Sequence, residues 1–360
     1  MDLISRRGPE RHAPKLTAID LFSGAGGLSQ GLTQAGFEVR AAVEFDPVAA
    51  SSYGMNHTKT TVLVDDIRNV TGPQLLSAAR LDRNELALLT GCPPCQGFST
   101  LQTRRLHAND RDPRNELIFE ILRLTRSTRP LALIVENVPG LKDNKRFQLF
   151  TEGLVKAGYS FAHSVLNAAD YGVPQRRKRL VLIAIRGATI PPQWAPELKR
   201  IRTVRDAIFG LPKAGASGDL LHDFPEQRSS RIMDRIAATP KDGGSRKDVP
   251  NEMACNCHIK SDGYHDVYGR MSWDSESPTI TSGCTNPSKG RFLHPVEDRA
   301  ITLREAALLQ SFPADYQFDT SRGKEHAALQ IGNAFPPNLI HEIAKALRRF
   351  LNEKCGVGNA

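Results

Sequence analysis

The sequence predicts an α/β protein: a mostly parallel sheet with helices on both faces, accompanied by a smaller irregular module. Two observations predict it. Between residues 17 and 186 short β-rich apolar runs alternate with helical patterns, and strand–helix alternation builds a parallel sheet covered on both sides. After Arg186 the texture changes: residues 187–300 are rich in Gly, Pro, Ser and basic side chains with little periodicity, and helical patterning returns only at Leu303–Gln310 and Leu339–Leu351. The expected division is therefore 1–186 (with 1–16 a loose tail), an irregular module over 187–300, and 301–360, whose helices complete the first part.

Taken in order, Thr17–Phe22 reads as a strand that runs into a Gly-rich turn and a helix from about Gly27 to Gln34, stopped by Gly36. Phe37–Phe45 is a second strand. Thr61–Val64, Leu86–Leu89, Leu131–Val135 and Leu180–Ile185 are further strands, apolar almost throughout, as strands buried on both faces are. Helical segments fall between them, Pro113–Ser127 and Phe147–Ala157 among them. Ligands of such sheets bind outside the carboxyl ends of the strands, so side chains there are the first candidates for function.

The composition, 40% apolar and 24% charged over 360 residues, is that of an ordinary globular protein. The best apolar run, Leu131–Val138, is short and carries Glu136, which argues against a membrane span. The polar, basic amino terminus lacks the apolar segment of a secretory signal. The net charge of +9 suits a polyanionic partner, and basic residues crowd Arg176–Arg179, Lys199–Arg205 and Arg228–Lys247. Six irregularly spaced cysteines without an export signal fit a reducing cytoplasm better than a disulfide framework.

Five segments stand at places where chemistry is expected. The first, Asp20-Leu-Phe-Ser-Gly-Ala-Gly-Gly-Leu28, is a strand, a glycine turn and a helix. Gly24 and Gly26 let the backbone approach a ligand, and the helix start offers free N–H groups to an anion. The dinucleotide fingerprint is absent, so a methionine carboxylate competes with a pyrophosphate as that anion. Glu44 is placed to hold two ribose hydroxyls, Phe45 to stack on adenine, and Asp66 to accept from an adenine amino group. A tight turn that binds nothing explains the glycines alone as well, but three such residues at successive strand ends weigh against it.

The second, Gly91-Cys-Pro-Pro-Cys-Gln-Gly-Phe-Ser99, follows the strand Leu86–Leu89. Cys92 and Cys95 form a CxxC, but no second ligand pair lies at zinc spacing and the context is not that of a thioredoxin. A catalytic cysteine on a strand-end loop fits better. The loop Gln96–Asp112 carries Arg104, Arg105 and Arg111 and is long enough to close over a substrate backbone. The third, Val135-Glu-Asn-Val138, puts Glu136 at a strand end, either solvated or partnered with the cysteine loop. The fourth, Gln175-Arg-Arg-Lys-Arg179, is either a solvated basic face or an extended run whose alternate members Gln175, Arg177 and Arg179 share one side. The fifth, Gln330-Ile-Gly-Asn-Ala-Phe-Pro-Pro337, reads as a loop: Gly332 and Asn333 suit a turn before the final helix. Cys255, Cys257, His258, His265, Cys284 and His294 offer Cys-x-Cys-His but no second clean pair, so no metal site is expected.

Together and in this order, these segments resemble the DNA cytosine-5 methyltransferase family, over about 17–186 and 270–346. The cofactor turn, PPCQ, ENV, QxRxR and the closing motif all match, and Arg270 with Ser277-Pro-Thr-Ile-Thr-Ser282 resembles the support of the recognition domain. The resemblance implies a Rossmann-like sheet that uses S-adenosylmethionine, with 187–300 as target-recognition domain. It implies Cys95 as nucleophile toward carbon 6 of a flipped-out cytosine. Glu136 would lie on nitrogen 3 and the exocyclic amine, and Arg179 on oxygen 2, supported by Arg177 and Gln175. The cofactor would lie among Phe22, Ser23, Gly24, Gly26, Gly27, Glu44, Phe45, Asp66, Ile67, Pro94, Leu117, Asn333 and Ala334. Phe45 stands where the family often has Trp. The implied partner is double-stranded DNA, bound by a monomeric, stand-alone bacterial enzyme of the cytoplasm and nucleoid, with a restriction endonuclease acting separately. Two alternatives are a tRNA methyltransferase of the divergent branch, whose Cys-Phe-Thr element is not found, and a catalytically silent DNA-binding relative, against which Cys95, Glu136 and Arg179 stand.

Overall fold

The structure is a computed structural model that describes residues 16–94, 112–188, 194–198, 200–253 and 266–355. Cys95, the loop that follows it through Arg111, Cys255, Cys257, His258 and His265 lie outside the described residues.

The strands β1 (Thr17–Leu21), β2 (Glu38–Glu44), β3 (Thr61–Val64), β4 (Leu88–Gly91), β5 (Ala132–Asn137), β6 (Tyr159–Asn167) and β7 (Lys178–Arg186) form one sheet in the order β3-β2-β1-β4-β5-β7-β6. β1 pairs parallel with β2 and β4, and β4 with β5, whereas β7 runs antiparallel between β5 and β6. The chain leaves β1 toward β3 on one side and returns to β4 on the other. The switch point therefore lies between β1 and β4, where open α/β sheets form their crevice.

Period two divides each strand between two cores. Ala18, Leu88, Ile134 and Val181 face one side, with α1 (Gly27–Gln34) and the final helix α11 (Pro337–Cys355). Ile19, Leu89, Leu133 and Leu182 face the other, with α3 (Gly72–Ala79), α4 (Leu117–Thr128) and α5 (Lys145–Lys156). A Cβ at Gly31 would sit 2.2 Å from the Pro337 carbonyl oxygen, so a glycine there is what lets α1 and α11 touch. A third cluster joins Trp273, Ile280 and Phe292 to Leu309, Phe312 and Ile331, across position 300. It includes residues of α9 (Leu303–Leu309) and α10 (Lys324–Asn333). Among the described residues no helix is long and apolar enough to cross a membrane.

Three expectations change. β6 is a strand that the apolar runs did not signal, because it is an edge strand whose YSFAHSVLN mixes polar side chains and stays half exposed. Pro113–Ser127 divides into a 3-10 turn, Pro113–Glu116, and α4, since the Asp112 carboxylate takes the Arg114 amide at 2.9 Å and starts the chain early. Gln330–Asn333 is not loop but the last turn of α10. Gly332 serves packing there: a Cβ would lie 2.2 Å from Thr281 carbon and 2.4 Å from Ser282 nitrogen.

Candidate active site

Parallel strands deliver their ends to one edge. Phe22–Ala25 follow β1, Phe45 and Asp46 follow β2, Asp65–Ile67 follow β3, and Cys92–Pro94 follow β4, whereas Gly26 and Gly27 do not line the cleft that these residues form. β7 runs the other way, so it is its beginning, with Arg179, that reaches the same edge beside Glu136 on β5. These residues line one cleft of about 840 Å³ together with Leu117, Asn333 and Ala334, a volume suited to a nucleotide-sized ligand.

At one end of the cleft the backbone turns through left-handed conformations at Phe22 (φ 56°), Gly24 (φ 54°) and Gly26 (φ 95°). A Cβ at Gly24 would meet nothing within 4 Å, so this glycine faces open space. Gly26 differs from expectation: its Cβ position is 2.6 Å from His57 Nε2 and 2.7 Å from Tyr316 Oη, so it yields to packing beneath the turn, not to a ligand. A Cβ at Gly27 would likewise lie 2.5 Å from the Phe335 carbonyl oxygen. Helix α1 has no side-chain cap, and the buried Ser23 hydroxyl has no hydrogen-bond partner. Buried polar atoms are rarely left so, which marks the turn as built for a polar group. The Glu44 carboxylate accepts from Gly24 N at 2.7 Å and from Asp46 N at 2.8 Å. Burial pushes its pKa up, although these amides counter it. Phe45 is 71% exposed on the rim. Asp66 accepts from the Arg68 guanidinium, and Ile67 is buried beneath it.

At the other end Arg179 Nε lies 2.7 Å from Glu136 Oε1, with side chains only 15% and 12% exposed. The Cys92 thiol also donates to Glu136; burial, then the Glu136 and Asp20 carboxylates, push its pKa well up and keep it protonated. Asn137 Nδ2 donates to the Pro93 carbonyl at 3.1 Å, tying the end of β5 to the chain that leads to position 95. Gln175 and Arg177 lie behind these groups. Gln175 is fully buried: Nε2 donates to Gln310 Oε1 at 2.8 Å, and Oε1 accepts from Ile280 N at 2.9 Å. Arg177 donates to the carbonyls of Ile280, Gly332 and Ala334. Gln175 thus ties the chain entering β7 to Ile280 and to 309–310, and Arg177 ties it to Ile280, Gly332 and Ala334.

Asp20, at the end of β1, is a further buried group of this region that the motifs do not single out. A carboxylate inside an apolar strand is itself a signal, because burying one is costly. Ser29 Oγ donates to it at 2.6 Å and Thr90 Oγ1 at 3.2 Å, yet burial, the largest influence, pushes its pKa up to about 7. Unfolded, the group titrates near 3.9. Between about pH 4 and pH 7 the folded chain thus holds a proton that the unfolded chain has lost, and stability falls as the pH rises through that window, levelling above it. Denaturant melts of wild type and Asp20→Asn across this range are expected to differ by an amount that changes up to about pH 7 and is then constant; a difference independent of pH would contradict it.

Of the zinc-type residues, Cys284 is buried, its thiol pushed up to about 12, and the His294 ring packs edge-on to Trp273. Among the described residues no group of three or more His, Cys, Asp or Glu side chains is placed to hold a metal.

The switch-point cleft, with its glycine turn, acidic and aromatic strand ends and buried carboxylate–guanidinium pair, defines an S-adenosylmethionine-dependent methyltransferase. The family described as C-5 cytosine-specific DNA methylase matches residues 16–349. The Type II methylase M.HgiDII of Herpetosiphon aurantiacus is 40% identical over 347 residues, covering 92% of this chain and 95% of that protein. The Type II methyltransferase M1.HphI of Haemophilus parahaemolyticus is 36% identical, covering 92% and 86%. A candidate DNA modification methyltransferase encoded within a prophage (E. coli) has a solved structure with TM-score 0.73 and 26% identity, covering 94% of this chain and 100% of that one. The chain belongs to the C-5 cytosine-specific DNA methylase family and is a DNA (cytosine-5-)-methyltransferase.

Proposed function

We propose that the chain is the modification enzyme of a Type II system, acting as a monomer in the bacterial cytoplasm on double-stranded DNA, with residues 187–300 reading the target sequence and a separate endonuclease as its counterpart. The observation that carries the chemistry is the Glu136–Arg179 pair, held in the cleft that Pro93 and Pro94 border one to two residues before Cys95. Bound S-adenosylmethionine supplies an electrophilic methyl group. Ser23, Gly24, Glu44 and Phe45 are the residues to hold it, and the orphaned Ser23 hydroxyl and the open space at Gly24 fit that use. Carbon 5 of cytosine is a weak nucleophile, and the Cys95 thiolate activates it by adding to carbon 6. Glu136 holds nitrogen 3 and the exocyclic amine, stabilising the protonated ring as electrons move toward carbon 5. Arg179 holds oxygen 2 and, through its ion pair, the orientation of Glu136. With the methyl group then on carbon 5 and the cofactor's thioether as the leaving group, loss of the carbon 5 proton to solvent would expel the Cys95 thiolate and restore the aromatic ring. Carbon 6 is shielded within the duplex, so the base must leave the stack.

Transfer of a tritiated methyl group to duplex DNA and to tRNA, each with wild type and Cys95→Ser, tests the reading. Label in DNA that depends on Cys95 is expected. Label in tRNA alone points to the tRNA branch, and DNA binding without label points to a silent relative.

A further inference from the structure

We propose that His326 is a positioning residue for the cofactor: it holds the corner Glu44–Phe45–Asp46 from α10 and thereby sets how tightly the cleft binds an adenosyl ligand. The inference rests on the reading of this cleft as the S-adenosylmethionine site.

A chain of hydrogen bonds with assignable direction leads to that corner. Ser52 Oγ accepts from Asp319 N at 2.8 Å and donates to Gln330 Oε1 at 2.5 Å. With its oxygen so occupied, Gln330 presents its amide nitrogen to His326 Nδ1 at 3.2 Å and to the Asp319 carbonyl at 3.3 Å. Nδ1 therefore accepts, and the ring proton sits on Nε2. Nε2 lies 3.0 Å from Asp46 Oδ2 and donates to it. The other Asp46 oxygen caps α2 (Pro47–Asn56), accepting from Val48 N at 2.8 Å. Asp46 N in turn donates to the Glu44 carboxylate, whose second oxygen holds the glycine turn through Gly24 N.

Phe45 lies between these two anchored carboxylates, exposed on the rim. With so much of its ring in the open, the direction of the ring is set largely by the backbone on either side of it. Arg322 also approaches Asp46, at 3.7 Å, but is 59% exposed, and such surface pairs contribute little. His326 is only 17% exposed at its side chain and itself lines the cleft. A helix 280 residues away in sequence thus braces the edge on which adenine would stack.

Binding of S-adenosylhomocysteine to the full-length enzyme, measured by calorimetry, tests this alongside KM for S-adenosylmethionine and kcat. Losing a hydrogen bond to a charged partner is expected to weaken binding in His326→Ala about tenfold. KM should rise in step while kcat at saturating cofactor stays within about threefold, the pattern of lost uniform binding. His326→Gln, which can accept from Gln330 and donate to Asp46, should recover most of the affinity. Asp46→Asn, which keeps an acceptor for the cap but loses the charge, should show a smaller loss of the same kind. Phe45→Ala is the control for the site. The proposal is overturned if Phe45→Ala weakens binding and neither His326→Ala nor Asp46→Asn does, if the glutamine variant is no better than alanine, or if kcat falls with KM unchanged. Unchanged binding in Phe45→Ala would remove the reading of the cleft and the proposal with it.

Discussion

Serine at position 95 is expected to lower methyl transfer to DNA by roughly three orders of magnitude or more while leaving DNA binding intact. An ordinary thiol has a pKa near 8.5 and offers a few per cent thiolate at neutral pH, whereas a serine hydroxyl offers almost no alkoxide. Cys92 cannot take over. Its thiol is half-buried, donates to the Glu136 carboxylate, and is pushed well up in pKa by burial and by the Glu136 and Asp20 carboxylates, so it stays protonated. A duplex bearing 5-fluorocytosine in the recognised site makes the step visible, because fluorine on carbon 5 cannot leave as the proton does. Wild type should form a complex that survives denaturation, and Cys92→Ala should form it too. Such a complex with Cys95→Ser, or its absence from wild type despite tight binding, would remove Cys95 as the nucleophile.

Glu136→Gln is expected to lower kcat by about 10²–10⁴-fold, the range for a misprotonated group at a reacting base. Glutamine preserves the shape and still accepts from Arg179, but it cannot carry the charge that favours protonated nitrogen 3. The pair is largely buried at 2.7 Å, so a stability cost accompanies the kinetic one, because Arg179 loses its counter-charge in a poorly solvated place. Glu136→Gln combined with Arg179→Gln should then be less damaging to the melting temperature than the sum of the single changes. Methyl transfer within tenfold of wild type in Glu136→Gln would exclude the carboxylate from the chemistry.

Much of this architecture was legible in the residues. β1, the glycine turn and α1 follow from an apolar run broken by residues that tolerate positive φ, and α1 falls at Gly27–Gln34 as expected. The strand-end placement of Glu44, Asp66, Cys92 and Glu136 follows from the same alternation, since a parallel sheet sends every such end to one edge. What stayed hidden depended on neighbours distant in the chain. β6 lacked an apolar run because it is an edge strand. Gln330–Asn333 reads as a loop because glycine and asparagine suit turns, but it is helical, and the backbone of Thr281 and Ser282 leaves no room for a Cβ at Gly332. His326 carried no local signal, its partner Asp46 being on another element.

The α/β class, the order of the motifs and the chemical inventory (a glycine turn, a proline-flanked cysteine, a strand-end carboxylate and a basic run) can be read from the residues alone. Local propensity and period-two burial are properties of neighbouring residues, so they can be read along the chain. Long-range packing alone sets the reversal of β7, which brings Arg179 against Glu136, and the bonds of Gln175 and Arg177 to the backbone of Leu309, Ile280, Gly332 and Ala334. It also decides that α10 braces the rim at Asp46. These are pairings between segments far apart in the chain, set by which surfaces bury together.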